Sequence, residues 1–148
     1  MKLSLDHDYP GADPRQLWDV VTSLEALHEV CAPLLVFDNV PRTGRIATGD
    51  SFAPNVRLFG KLPPQPYKMA ATLVDDAAMH FQSQESGAGV EQWDHHLWVH
   101  ATDSGAMIHE EITIRGGLMT PLFWLWGRTL YRHRHAPRKR ILARLNAG

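Results

Sequence analysis

Apolar residues recur at every second position along two neighbouring stretches of the chain, residues 91–101 and 106–115. Trp93, His95, Leu97 and Val99 share one face of the first; Ile108, Glu110, Ile112 and Ile114 share one face of the second. That period predicts two β-strands. The link Thr102-Asp103-Ser104-Gly105 predicts a hairpin. With Asp103-Ser104 as a two-residue turn, Thr102 pairs with Gly105, Leu97 faces Glu110 and His95 faces Ile112. His95 then lies diagonally across from Glu110, within side-chain reach. An acid and an imidazole on an otherwise apolar face suggest a lined pocket rather than a plain core.

The same reading extends along the chain. Residues 2–8 alternate and predict a short strand that Tyr9-Pro10-Gly11 breaks. Asp13-Pro14 places an N-cap before a proline at the first helical position, with Leu17, Trp18, Val20 and Val21 as the apolar face. Thr22-Ser23-Leu24-Glu25 fits a capping box and predicts a second short helix. Strands and turns follow: a strand at 34–40, a turn at Pro41-Arg42-Thr43-Gly44, and a strand or strand pair at 49–58. After a loop at 59–64 come hairpin strands 65–75 and 78–85 around Asp75-Asp76. Thr120 and Pro121 open a long terminal helix. Its buried stripe is expected to run through Leu122, Leu125, Trp126, Thr129, Leu130 and His133, and to resume at Ile141, Leu142 and Leu145. Pro137 cannot donate to the carbonyl of His133, so a kink or break is expected there. Strand, two helices, about six strands and a long helix describe an α+β domain with an antiparallel sheet.

Composition adds limits. A chain of 148 residues, read as one domain over 1–148, is long enough to bury a sizeable core. The single cysteine, Cys31, excludes an internal disulfide and fits a reducing, cytoplasmic setting, and it reads as a small buried hydrophobe. No leader segment and no apolar run long enough for stable membrane insertion are expected. Charge is uneven: residues 115–148 hold eight Lys or Arg and no acid, against seven basic and sixteen acidic side chains before them. A solvated helix face is the favoured reading of that tail, and no nucleic-acid motif accompanies it. Attachment to an anionic membrane or to a partner is the competing one.

Several motifs, taken in order, resemble the START-related (SRPBCC) superfamily, which includes the birch pollen allergen and polyketide cyclase-like proteins. Asp13-Pro14-Arg15-Gln16-Leu17-Trp18-Asp19-Val20-Val21 is similar to its proline-led first helix. Leu58-Phe59-Gly60-Lys61-Leu62-Pro63 is similar to a turn after its third strand. Trp93-Asp94-His95 resembles the Trp-x-His motif of a bacterial subgroup, and Glu110 stands where that subgroup carries an acid, usually Asp. The terminal helix with Arg132 and Arg134 fits as well. The resemblance implies a helix-grip fold: a curved antiparallel sheet of about seven strands wrapped around a long C-terminal helix, two short helices after strand 1, and a hydrophobic cavity between sheet and helix. It also implies a lipid-, polyketide- or sterol-like ligand.

Phe81, Trp93, His95, Leu97, Glu110, Ile112, Leu122, Trp126 and Leu130 are the candidate ligand-binding residues. His95 and Glu110 are also the candidate acid and base of a cyclase- or dehydratase-type enzyme. Ligand contact, catalysis and a purely structural ion pair remain open for that pair. His96, His100 and His109 surround Trp98 on the opposite sheet face. A solvated polar face is the expected reading there, with no metal, no cofactor, and Trp98 as a candidate homodimer contact.

Overall fold

The computed structural model describes residues 1–147. The expected hairpin is the strand pair β7 (Val90–Thr102) and β8 (Gly105–Arg115). Thr102 pairs with Gly105, Leu97 with Glu110 and His95 with Ile112, so the register follows from the two-residue turn. Gly105 is required at that turn. Its φ is +152°, and an added Cβ would lie 2.6 Å from the Tyr9 carbonyl oxygen and from the Gly11 nitrogen.

Six other strands complete one antiparallel sheet: β1 (Lys2–Pro10), β2 (Leu35–Asp38), β3 (Ser51–Phe52), β4 (Asn55–Leu58), β5 (Gln65–Asp75) and β6 (His80–Gly87). The hydrogen-bonded order is β1-β8-β7-β6-β5-β4-β2, with the two-residue β3 pairing separately with β5. Irregularities at Ala71/Leu73 and Glu85/Gly87 interrupt the ladder, and such bulges bend strands. The 49–58 segment divides into β3 and β4. Strand β1 runs two residues beyond its expected end, through Tyr9 and Pro10. It is an edge strand, where a proline's missing N–H costs no ladder bond. This extension brings Tyr9 into the core.

Helices α1 (Pro14–Val21) and α2 (Leu24–Cys31) follow β1. Asp13 caps α1 as expected, its Oδ2 accepting from the Gln16 N–H at 2.9 Å. The cap of α2 is Ser23, one residue later than the capping-box spacing suggests. Thr22 serves the end of α1 instead, its hydroxyl donating to the Trp18 carbonyl at 3.1 Å. Helices α3 (Thr120–His133) and α4 (His135–Ala147) close the fold. Thr120 is the first helical residue rather than a cap: its hydroxyl donates to the Gly117 carbonyl and accepts from the Gly116 N–H. The expected break falls between α3 and α4 at Arg134, three residues before Pro137. A proline deprives the carbonyl four residues earlier of its donor, so the discontinuity belongs at His133 and Arg134.

The largest apolar cluster joins α1, α2 and α4 to β7 and β8 through Trp18, Val30, Leu97, Ile108, Ile141 and Leu142. A smaller one holds Leu3, Trp93, Ile112, Ile114 and Tyr131 beneath α3. Helix α3 meets the sheet closely at Gly127, where an added Cβ would lie 2.8 Å from the Trp93 ring and 3.3 Å from Ile114. Gly127→Val is therefore expected to cost about 1–3 kcal/mol through overpacking. Urea unfolding checks this; unchanged stability would show that α3 rides higher over the sheet.

Candidate functional site

The sheet face under the helices buries His95 and Glu110 almost completely, at 3% and 0% exposure. His95 Nε2 lies 2.6 Å from Glu110 Oε2. Burial alone would raise the Glu110 pKa. The His95 hydrogen bond and charge, with Arg134 and Arg138 nearby, outweigh it and hold the carboxyl at about 2. An ionised carboxylate only accepts, so His95 donates from Nε2. Its other ring nitrogen, Nδ1, makes no hydrogen bond among the described residues. The second Glu110 oxygen, Oε1, has no hydrogen-bond partner and lies 3.8 Å from His135 Nε2.

A second layer of polar side chains backs this pair. Tyr9 Oη bonds His135 Nδ1 and accepts from Arg138 Nη1 at 3.2 Å. Arg138 Nη1, which can only donate, also lies 3.5 Å from His135 Nδ1; this makes Nδ1 an acceptor, to which the Tyr9 hydroxyl gives its proton. That leaves His135 protonated at Nε2, facing Glu110. His7 stacks on His135, with centroids 3.9 Å apart and planes 3° apart. Burial first, then the Arg138 charge, pushes the His135 pKa down to about 3, so the ring is neutral near pH 7.

Two cavities lie between sheet and helices. The larger, about 530 Å³, is lined mainly by apolar residues of β2, β4, β7 and α3 and the segments around them, including Trp93, Phe123 and Trp126. The smaller, about 70 Å³, lies deeper and is lined by Phe81, Ser83, Glu85, His95, Leu97 and Arg134 among others. Leu35, Phe37, Glu85, Leu130 and Tyr131 line both. The nine candidate residues divide accordingly. Trp93, Leu122 and Trp126 line the large cavity; Phe81, His95 and Leu97 line the small one; Leu130 lines both. Glu110 and Ile112 line neither. Glu110 sits behind His95 with no exposed surface, and Ile112 packs into the cluster with Trp93 and Tyr131. The expected buried stripe of the terminal helix also changes. Leu122, Leu125 and Leu145 are each about half exposed, the first two at the cavity rim, whereas Leu130, Ile141 and Leu142 are buried.

The sequence model of a domain of unknown function, DUF8410, matches residues 11–143. The chain belongs to the DUF8410 family. No curated protein matches it in sequence. Its fold is the START-related helix-grip fold, shared with several solved structures. Protein NE0264 from Nitrosomonas europaea superposes with a TM-score of 0.76 at 13% identity, over 100% of this chain and 97% of that one. Ara h 8.0201 gives 0.69 at 13%, over 97% and 99%. A START superfamily protein from Mycobacterium smegmatis gives 0.67 at 10%, over 98% and 97%. At these identities the likeness is one of fold.

In this DUF8410 chain the basic tail is not simply a solvated face. Arg134 and Arg138 are 9% and 1% exposed and belong to the polar layer beneath the helices. Arg144 pairs with Glu29 at 2.9 Å, and Arg128 lies over the Trp124 ring at 5.7 Å. Fewer charges are thus free for an anionic surface than the sequence count suggests. No helix among the described residues is long and apolar enough to cross a membrane. On the outer sheet face, Trp98 stacks with His80 at 4.5 Å and with His96 at 5.7 Å, and His109 bonds Asp6 and Glu111. His100 is exposed on the same strand.

Glu85, Arg134, His135 and Arg138 were not among the candidate residues, yet each carried a signal. Glu85 alternates with Phe81 and Ser83 on the inward face of β6. Arg134 and Arg138 continue the Leu130 stripe at four-residue steps. His135 lies beside that stripe, at the first position of α4.

Proposed function

We propose that this DUF8410 chain, acting as a single START-related domain, binds a small apolar molecule of lipid-, polyketide- or sterol-like character between the sheet and α3. The observation that carries the reading is the 530 Å³ apolar cavity. It falls within the roughly 300–1,000 Å³ of small-molecule sites. A START-related fold supports the same reading by analogy only. Phe59, Leu122 and Leu125 are about half exposed and line the cavity, which supplies an apolar rim through which such a molecule would pass.

N-phenyl-1-naphthylamine, a neutral dye that brightens on leaving water, tests the proposal. One dye per chain is expected to bind. Trp126→Asp, which places a charge in the lining at a half-buried position, is expected to weaken it at least tenfold while shifting the melting temperature by only a few degrees. No dye binding by the folded wild-type chain would refute the proposal.

A second reading, an enzyme of the cyclase or dehydratase type, draws on the free Nδ1 of His95. With Glu110 fixing the tautomer, His95 would serve as base. Glu110 is sealed from both cavities, so the acid facing a substrate would be Glu85, whose pKa burial raises. Turnover lost in both His95→Ala and Glu85→Gln separates this reading from simple binding.

A further inference from the structure

Arg134 is buried, lines the small chamber, and makes no hydrogen bond through its side chain among the described residues. Its guanidinium lies over the Tyr131 ring, 5.0 Å from the centroid. An aromatic face supplies attraction but accepts none of the five N–H bonds a guanidinium offers. The Glu110 and Glu85 carboxyls lie close enough to favour its charge, yet neither accepts a hydrogen bond from it. Glu110 is engaged with His95 and leans toward His135, and no ion pair joins Arg134 to Glu110 or to Glu85. Arg138 adds a second buried guanidinium on the same helical stripe. Two buried guanidiniums therefore stand near one firmly ionised carboxylate, Glu110, which is already bonded to His95. Burial pushes the remaining one, Glu85, toward its neutral form. A buried, unpaired charge is costly unless something pairs with it.

Resting on the apolar-ligand reading above, we propose that the small chamber is the headgroup end of the cavity, where Arg134 binds the carboxylate of an apolar monocarboxylic acid. The chamber measures about 70 Å³. An apolar cavity of roughly 150 Å³ accommodates benzene, so this one admits a small functional group and no ring. A planar guanidinium matches a carboxylate with two parallel hydrogen bonds, which a lone hydroxyl cannot use. Glu85, in its protonated form, adds a donor to the same oxygens, and Ser83 orients it by donating to its Oε2 at 2.8 Å. The five residues common to both linings put headgroup and body within one side chain's thickness of each other. The acid's apolar body would occupy the large cavity, which Arg134 does not line.

Displacement of N-phenyl-1-naphthylamine from the full chain at pH 7.5, by decanoate and by 1-decanol, tests the assignment. Decanoate is expected to displace the dye at a concentration at least tenfold lower than 1-decanol. Arg134→Met should weaken decanoate at least tenfold and leave dye and alcohol within twofold, a selective loss that a general weakening of the fold would not produce. Arg134→Lys, which keeps the charge without the fork, should retain part of the preference. Equal displacement by acid and alcohol in the wild type, or equal loss of both in Arg134→Met, overturns the headgroup site and leaves the cavity reading standing. Failure of the dye itself to bind overturns both. The wild-type comparison decides even if a variant does not fold.

Discussion

Glu110→Ala is expected to destabilise the fold by about 3–5 kcal/mol, the range seen when one partner of a buried ion pair is removed. Glu110 is wholly buried and accepts from His95 at 2.6 Å. Its negative charge is also what the guanidiniums of Arg134 and Arg138 face, and both are buried with their Nε groups unpartnered. Removing the carboxylate leaves those charges in a low-dielectric interior with nothing opposite. It also strands the Nε2–H of His95. Glu110→Gln is expected to do less harm, since the amide oxygen still accepts from His95 while the charge is lost. Urea unfolding of the three proteins checks the order, wild type above Gln above Ala. A loss below about 1 kcal/mol for Glu110→Ala would mean that the charge cluster relaxes into water. His95→Ala should act differently. It removes a chamber-lining residue, and its effect should appear in ligand affinity as well as in stability.

This separation of roles was only half legible in the sequence. Alternation and a two-residue turn were sufficient to align Leu97 with Glu110 and His95 with Ile112, because period two leaves a hairpin little choice once its turn is set. The same rule could not say how deep each residue would lie. Depth depends on what covers the sheet, and the cover comes from α3 and α4, far away in sequence. Thus Glu110 was legible as a pocket-face acid but not as one sealed behind His95. Arg134 and Arg138 carried the opposite problem. Their residue type argued for solvent, while their four-residue spacing from Leu130 argued for the core, and the spacing describes where they lie. Tyr9 was hidden by its neighbours: Pro10 and Gly11 read as a strand end, yet an edge strand tolerates the proline and carries Tyr9 onward to His135 and Arg138. The helix break was legible from Pro137 because its cause is local. The cavity was legible through the resemblance and through the two ionisable residues, His95 and Glu110, on an apolar face; no pattern of apolar residues alone distinguishes a filled interior from an open one.

The stability of the protein is expected to fall as pH drops below about 6.5, and the His135 ring is the main reason. Unfolded, this histidine takes up a proton near pH 6.5. Folded, it resists protonation down to about pH 3, through burial and then the Arg138 charge, with His7 and Arg134 adding to the effect and Glu110 opposing it. Between those values the unfolded chain binds more protons, so stability falls as pH falls. The slope is half of 1.36 kcal/mol per pH unit at pH 6.5 and approaches the full value below it, so the loss between pH 6.5 and 4.5 is about 2 kcal/mol. His7, whose pKa burial and the Lys139 and Arg138 charges also lower, acts in the same direction. Glu110 extends the loss further into acid. Its contribution is complete above its unfolded value and disappears as pH falls toward about 2. Two groups oppose the trend. Glu85, with its pKa raised by burial, favours the fold more at acid pH. His109 does the same: burial would lower its pKa, but its bonds to Asp6 and Glu111 raise it, and its solvent exposure keeps that contribution small. Urea unfolding at pH 8, 6.5, 5.5 and 4.5 measures the balance. His135→Gln keeps an acceptor for the Tyr9 hydroxyl and removes the titration, so it should flatten most of the curve between pH 6.5 and 4.5. A flat wild-type curve over that range, or an unchanged slope in the variant, would contradict the assignment. The variant would also show what the neutral ring does for Glu110. If His135 Nε2–H supports the Oε1 oxygen, the glutamine protein should be less stable than wild type at pH 8, where neither ring is charged, and should converge with it toward pH 5.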